Sequence, residues 1–122
     1  MSFLLASRPR VTWPATAQVP SAATPGSFDA QSFSLVFEVL PPAELRALDD
    51  AFLALDPAEQ VSHQHYTLER LIVGWSEVMA GTAEVPFSAE ALERALALPW
   101  FPPAAYAAYA ELTTGGKARL GN

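Results

Sequence analysis

The sequence predicts an α+β fold, an N-terminal antiparallel β-hairpin followed by a bundle of four or five short α-helices. Two patterns carry this: apolar residues alternate in twos up to Val39, and after Pro41-Pro42 they recur every three or four positions. Composition sets the scale, since 122 residues that are 51% hydrophobic and 16% charged suffice for one buried core. The whole chain, 1–122, therefore reads as one domain, with a hairpin over 10–39, a helical part over 42–114 and a flexible tail over 115–122.

From Arg10 to Val19, residues Val11, Trp13, Ala15, Ala17 and Val19 share one face and Thr12, Thr16 and Gln18 the other. Pro14 interrupts this strand and assigns it to a sheet edge, because proline brings no backbone donor to a ladder. From Ser27 to Val39 a second strand sets Phe33, Leu35, Phe37 and Val39 on one face. The link between them, Pro20-Ser21-Ala22-Ala23-Thr24-Pro25-Gly26, is built of turn formers and makes a long hairpin tip.

Leu45, Leu48, Phe52 and Leu55 then mark a helix over Pro42–Leu55. Asp56-Pro57-Ala58-Glu59 starts a second, with Asp56 as cap, Pro57 in the first helical position and Glu59 where a capping-box acid belongs. This helix is expected to break near Val61–Tyr66 and to resume with an apolar stripe of Leu68, Leu71, Ile72, Trp75, Val78 and Met79 that Gly81 ends. Residues 82–87 read as a loop, and Ser88 caps a helix carrying Leu92 and Leu96 that Pro99 stops. Pro102-Pro103 open a last helix with Tyr106, Tyr109, Ala110 and Leu112 at helical spacing, and Gly115-Gly116 end it.

Thirteen acidic against seven basic residues give a net charge of -6, which opposes a nucleic-acid partner. The absence of cysteine removes disulfides, thiolate metal sites and a Cys nucleophile, and suits a reducing cytoplasm. The opening Met1-Ser2-Phe3-Leu4-Leu5-Ala6 is too short for a signal peptide and its arginines, Arg8 and Arg10, follow rather than precede it. No run is long enough for a membrane span.

The only histidines, His63 and His65, are two apart and do not share a helical face, and Glu59 and Glu69 bring no further ligand at a metal-binding spacing. No metal or cofactor is assigned. There is no G-x-S-x-G elbow and no dinucleotide fingerprint, and Gly115-Gly116-Lys117 matches only the end of a phosphate-binding loop. The carboxylate pairs Asp49-Asp50 and Glu90 with Glu93 fall on expected polar faces or first turns, so no catalytic residues are named. The informative side chains are aromatic: Trp100-Phe101 between prolines, and Trp13 and Phe28 on the hairpin. Burial in the core and a protein-binding surface both accommodate them.

One succession of motifs points further. Val73-Gly74-Trp75-Ser76-Glu77-Val78, then Gly81, then Val85-Pro86-Phe87-Ser88-Ala89-Glu90-Ala91-Leu92 and a short final helix resembles the tail assembly chaperones of long-tailed phages with non-contractile tails. Thr12-Trp13-Pro14-Ala15 and Phe33–Leu40 leading into Pro41-Pro42-Ala43-Glu44-Leu45 add to it, so the likeness runs from Arg10 to Asn122. The Ala- and Pro-rich last third, the scarcity of lysine and the long hairpin tip depart from the family pattern.

The resemblance implies a non-enzymatic protein of phage or prophage origin, working in the bacterial host cytoplasm and absent from the mature virion. It would bind the coiled-coil-prone tape measure protein, keep it soluble and help recruit tail tube subunits. Many members are made in two lengths by programmed frameshifting, and this chain would correspond to the short form or the shared N-terminal part. On this reading Leu68, Ile72, Trp75, Trp100 and Phe101 are candidates for the client groove. Trp13, Phe33, Leu35 and Phe37 are candidates for self-association into a homo-oligomer. The competing reading is a small structural virion protein, such as a head–tail joining or tail-end protein.

Overall fold

The structure, a computed structural model, describes residues 2, 3, 5 and 9–115. Strand β1 (Arg10–Pro20) and strand β2 (Phe28–Glu38) form the expected antiparallel hairpin. Its tip is closed by a bond from Ser21 N to Ser27 O (2.9 Å), and Gly26 supplies the positive φ of 88° that the turn needs.

Five helices follow: α1 (Pro42–Leu53), α2 (Pro57–Ser62), α3 (Tyr66–Leu71), α4 (Ala89–Leu96) and α5 (Phe101–Thr114). Two of these starts are capped by side chains. The Asp56 carboxylate accepts from Glu59 N at 2.9 Å, and the Ser88 hydroxyl from Ala91 N at 3.0 Å. At the far end Gly115 takes the left-handed conformation that closes α5. The rest of the expected tail lies outside the described residues.

The stripe from Leu68 to Met79 is not one helix. It splits after Leu71, and Ile72–Ser76 become strand β3, antiparallel to the inner half of β2, giving a three-stranded sheet of order β1-β2-β3. Ile72 and Val73 are β-branched, Gly74 is the poorest non-proline helix former, and Trp75 favours a pleated surface, so the local preference is for strand. Gly74 is also needed where it stands, because a Cβ there would lie 3.3 Å from Val36 Cγ2 across the pair. Past Ser76 the chain turns out of line: Glu77 adopts φ 65°, and β4 (Met79–Ala80) and β5 (Ala83–Glu84) make a small second hairpin where the end of the helix and the start of the loop were expected. Gly81 sits in its turn rather than ending a helix.

The core lies on one face of the large sheet. Ala15, Ala17, Phe33, Leu35 and Phe37 from the hairpin meet Leu68, Leu71, Ile72, Leu92, Leu96 and the inner face of α5. That inner face is Phe101, Ala104, Ala105 and Ala108, not the face of Tyr106, which is 46% exposed. Alanines on α5 opposite Ala15 and Ala17 let helix and strand approach closely, leaving Tyr106 outside, while Tyr109 is partly buried and meets Phe37 edge-on at 5.3 Å. The other sheet face is small and polar, with Thr16 and Ser32 hydroxyls 3.3 Å apart across the pair.

Candidate functional site

The large sheet is uneven in length. β3 covers β2 only from Ser34 to Phe37, so the outer half of the β1–β2 hairpin stands beyond the third strand. Helix α4 ends near this outer half and α5 begins there, the two joined through Leu98, Pro99 and Trp100. Three prolines, Pro99, Pro102 and Pro103, restrict the backbone around Trp100. Phe101 turns inward and stacks on Phe33 with ring centres 5.5 Å apart, which holds the half-buried Trp100 at the surface.

Two clefts flank this indole. One, of about 600 Å³, lies toward the hairpin tip and is lined by Gln18, Pro20, Phe28, Trp100, Pro103 and Ala107. The other, of about 560 Å³, lies under the uncovered part of β2 and is lined by Gln31, Phe33, Val78, Met79, Leu98 and Trp100. Phe28 is 63% exposed, Met79 52% and Leu98 44%. Hydrocarbon therefore lies open around Trp100, a surface suited to receiving apolar side chains of another chain. Phe28 is readable as an aromatic on the hairpin, but Met79 and Leu98 carry no sequence signal that separates them from core residues.

The candidate residues sort by burial. Leu68 and Ile72 are 0% and 2% exposed and belong to the core, whereas Phe101, 6% exposed, is largely core but also contributes to the wall of the second cleft. Trp75 is half-buried: its indole meets Phe87 edge-on at 5.2 Å and donates from Nε1 to Val85 O at 2.8 Å, tying β3 to the segment before α4. Of the client-groove candidates, Trp100 lines both clefts and Phe101 the second, while Leu68, Ile72 and Trp75 line neither. The self-association set is corrected as well. Phe33, Leu35 and Phe37 are 8%, 0% and 0% exposed, because α5 and α3 cover the sheet face on which they stand, and they present nothing to a second copy. Trp13, half-buried at the edge strand, donates from Nε1 to Glu111 Oε1 at 3.2 Å.

The charged groups serve the fold. Glu38, buried at the end of β2, receives Arg70 Nη2 at 3.2 Å and lies 3.8 Å from Arg10 Nη2, joining the sheet to α3. His63 Nδ1 lies 3.4 Å from Glu69 Oε1 on an exposed turn. Burial, with the Asp49 carboxylate adding to it, holds the Tyr106 phenol above the ordinary tyrosine range. Among the described residues no group of three or more His, Asp or Glu side chains is placed to hold a metal ion. Among them, too, no helix is long and apolar enough to cross a membrane. Compared with known proteins, the chain matches no family model, no curated protein and no solved structure.

Proposed function

We propose that this chain is a tail assembly chaperone of a long-tailed phage or prophage, which binds the tape measure protein in the host cytoplasm and helps recruit tail tube subunits. The order of motifs from Thr12 through Trp75 to the Val85-Pro86-Phe87-Ser88 helix start supports the family. The observation that carries the binding role is the open apolar cleft where the exposed Phe28 and the half-buried Trp100 face one space with Pro20 and Pro103. A long helical client exposes apolar stripes that aggregate, and a cleft of this kind receives such a stripe while many copies along the client supply avidity.

The test is co-expression of the chain with the tape measure protein of the same phage or prophage. The soluble yield of the tape measure protein should rise with the chaperone present and fall again with Phe28→Ser or Trp100→Ser. The circular dichroism of the variants should match the parent. Stoichiometric recovery of the chain in purified particles, with no effect on tape measure solubility, would replace this reading by the structural virion protein.

A further inference from the structure

In an antiparallel pair, opposed residues alternate between exchanging both backbone hydrogen bonds and exchanging none. The β1–β2 register opposes Arg10 to Glu38 and continues to Pro20 opposite Phe28. Two bonds just outside the strands, Ser21 N to Ser27 O and Val39 N to Pro9 O, both 2.9 Å, fix which set is bonded. The odd-numbered residues bond across the hairpin, and the even-numbered residues turn their N–H and C=O groups outward on both strands.

The two outer edges differ. On β1 the outward positions are Thr12, Pro14, Thr16, Gln18 and Pro20, so two donors are missing and two pyrrolidine rings stand in the way of a further strand. On β2 the outward positions are Phe28, Ala30, Ser32, Ser34 and Val36. β3 takes Ser34 and Val36 and then leaves at Glu77. Among the described residues the backbone groups of Phe28, Ala30 and Ser32 have no partner, and no proline or lysine protects them. Below this edge, in line with β3, lies the cleft of about 560 Å³ whose floor includes Phe33, Leu98 and Trp100.

We propose that the uncovered edge of β2 from Phe28 to Ser32 is a strand-addition site for an extended segment of another protein, apolar at alternate positions and basic at its ends. The added strand would continue the line of β3, pair with the three outward residues and lower its inward side chains into the cleft. Charge selects the occupant. Asp29 stands at one end of the edge, and Glu77 stands at the other, where its backbone N–H donates to the Glu84 carboxylate at 3.1 Å. No Lys or Arg occurs from Val11 to Leu45 or from Leu71 to Glu93. A second copy of this chain, itself at -6, would set like charges against each other along a shared edge, whereas a basic segment meets complementary ones. The site adjoins the Phe28 cleft, with which it shares Phe28 and Trp100, but it is argued from the unpaired edge and its charges and does not depend on the tail-chaperone reading.

The probe is an acetylated, amidated peptide of sequence Lys-Val-Thr-Val-Thr-Val-Lys, titrated into the isotope-labelled full chain. Amide signals of Phe28, Ala30 and Ser32 should shift and their solvent exchange should slow about tenfold or more, while Asp29 and Gln31, already bonded to β1, change little. Ala30→Pro removes only an outward N–H, as Pro14 does on the other strand, and should cost at least about tenfold in affinity. Should that variant fail to fold, the same peptide N-methylated at alternate nitrogens, tested on the unaltered chain, should bind about tenfold more weakly. A peptide ending in Glu instead of Lys should also bind more weakly. Shifts without the even–odd alternation, equal binding of the N-methylated peptide, or a concentration-dependent dimer that occupies this edge would overturn the proposal.

Discussion

Leu35 lies in the middle strand, opposite Trp13 on β1 and Trp75 on β3, and is 0% exposed. Leu35→Ala removes three carbon groups, worth roughly 2.4 kcal/mol at about 0.8 kcal/mol each. With pleated neighbours on both sides the sheet cannot collapse into the gap, and the cavity left behind brings the expected cost to about 3–5 kcal/mol. For a chain of this size, stable by roughly 6–18 kcal/mol, the variant still folds, and the loss is measurable. In urea, with a slope of about 2 kcal/mol/M, the midpoint should fall by about 1.5–2.5 M with the slope unchanged. Circular dichroism and the fluorescence of Trp13 and Trp75 should report the same transition. A residue that served copy-to-copy contact would instead give a parent midpoint that rises with protein concentration. A midpoint within about 0.3 M of the parent, or a concentration-dependent one, would refute the placement of Leu35 in the monomer core.

Two further substitutions probe the joints. Ser88→Ala removes the oxygen that receives Ala91 N and should lower stability by about 1 kcal/mol, with Ser88→Asp restoring most of it, both read from urea midpoints. Arg70→Ala withdraws a cation 3.2 Å from the buried Glu38 carboxylate and should cost about 1.5–3 kcal/mol at neutral pH. Adding Glu38→Gln to that variant should recover part of the loss, since the buried carboxylate that lost this cation is then neutral.

The hairpin and the helix starts are legible because they rest on local chemistry. Alternation, the proline in an edge strand, and the side-chain oxygens of Asp56 and Ser88 act within a few residues of themselves. β3 hides for a complementary reason. Leu68, Leu71, Ile72 and Trp75 fit helical spacing, and a short apolar run has the same period whether its first part is helix and its last part strand. Gly74 is the residue that argues against a helix, and its reason, the contact with Val36, exists only after the sheet has formed. The inner face of α5 is obscured similarly: Tyr106 and Tyr109 share the helical spacing, yet Tyr106 is exposed where β1 comes close to Ala104 and Ala108, and only Tyr109 reaches the core, against Phe37. The surface around Trp100 was half legible, since neither Met79 nor Leu98 shows in sequence that the sheet stops short of covering it.

Trp13 near the start of the first strand and Glu111 near the end of the last helix are joined across 98 positions. Helix α5 covers β1, which is made well before it, so β1 waits, with Ala15 and Ala17 uncovered, until α5 has been made. Local hairpin closure is fast, but the docking that buries it closes a loop of 98 positions. During synthesis the nascent chain therefore exposes an apolar sheet face while everything between β1 and α5 is translated. A stalled or truncated product lacking residues 101–114 would keep that face exposed and become a substrate for proteases of the cell that makes it.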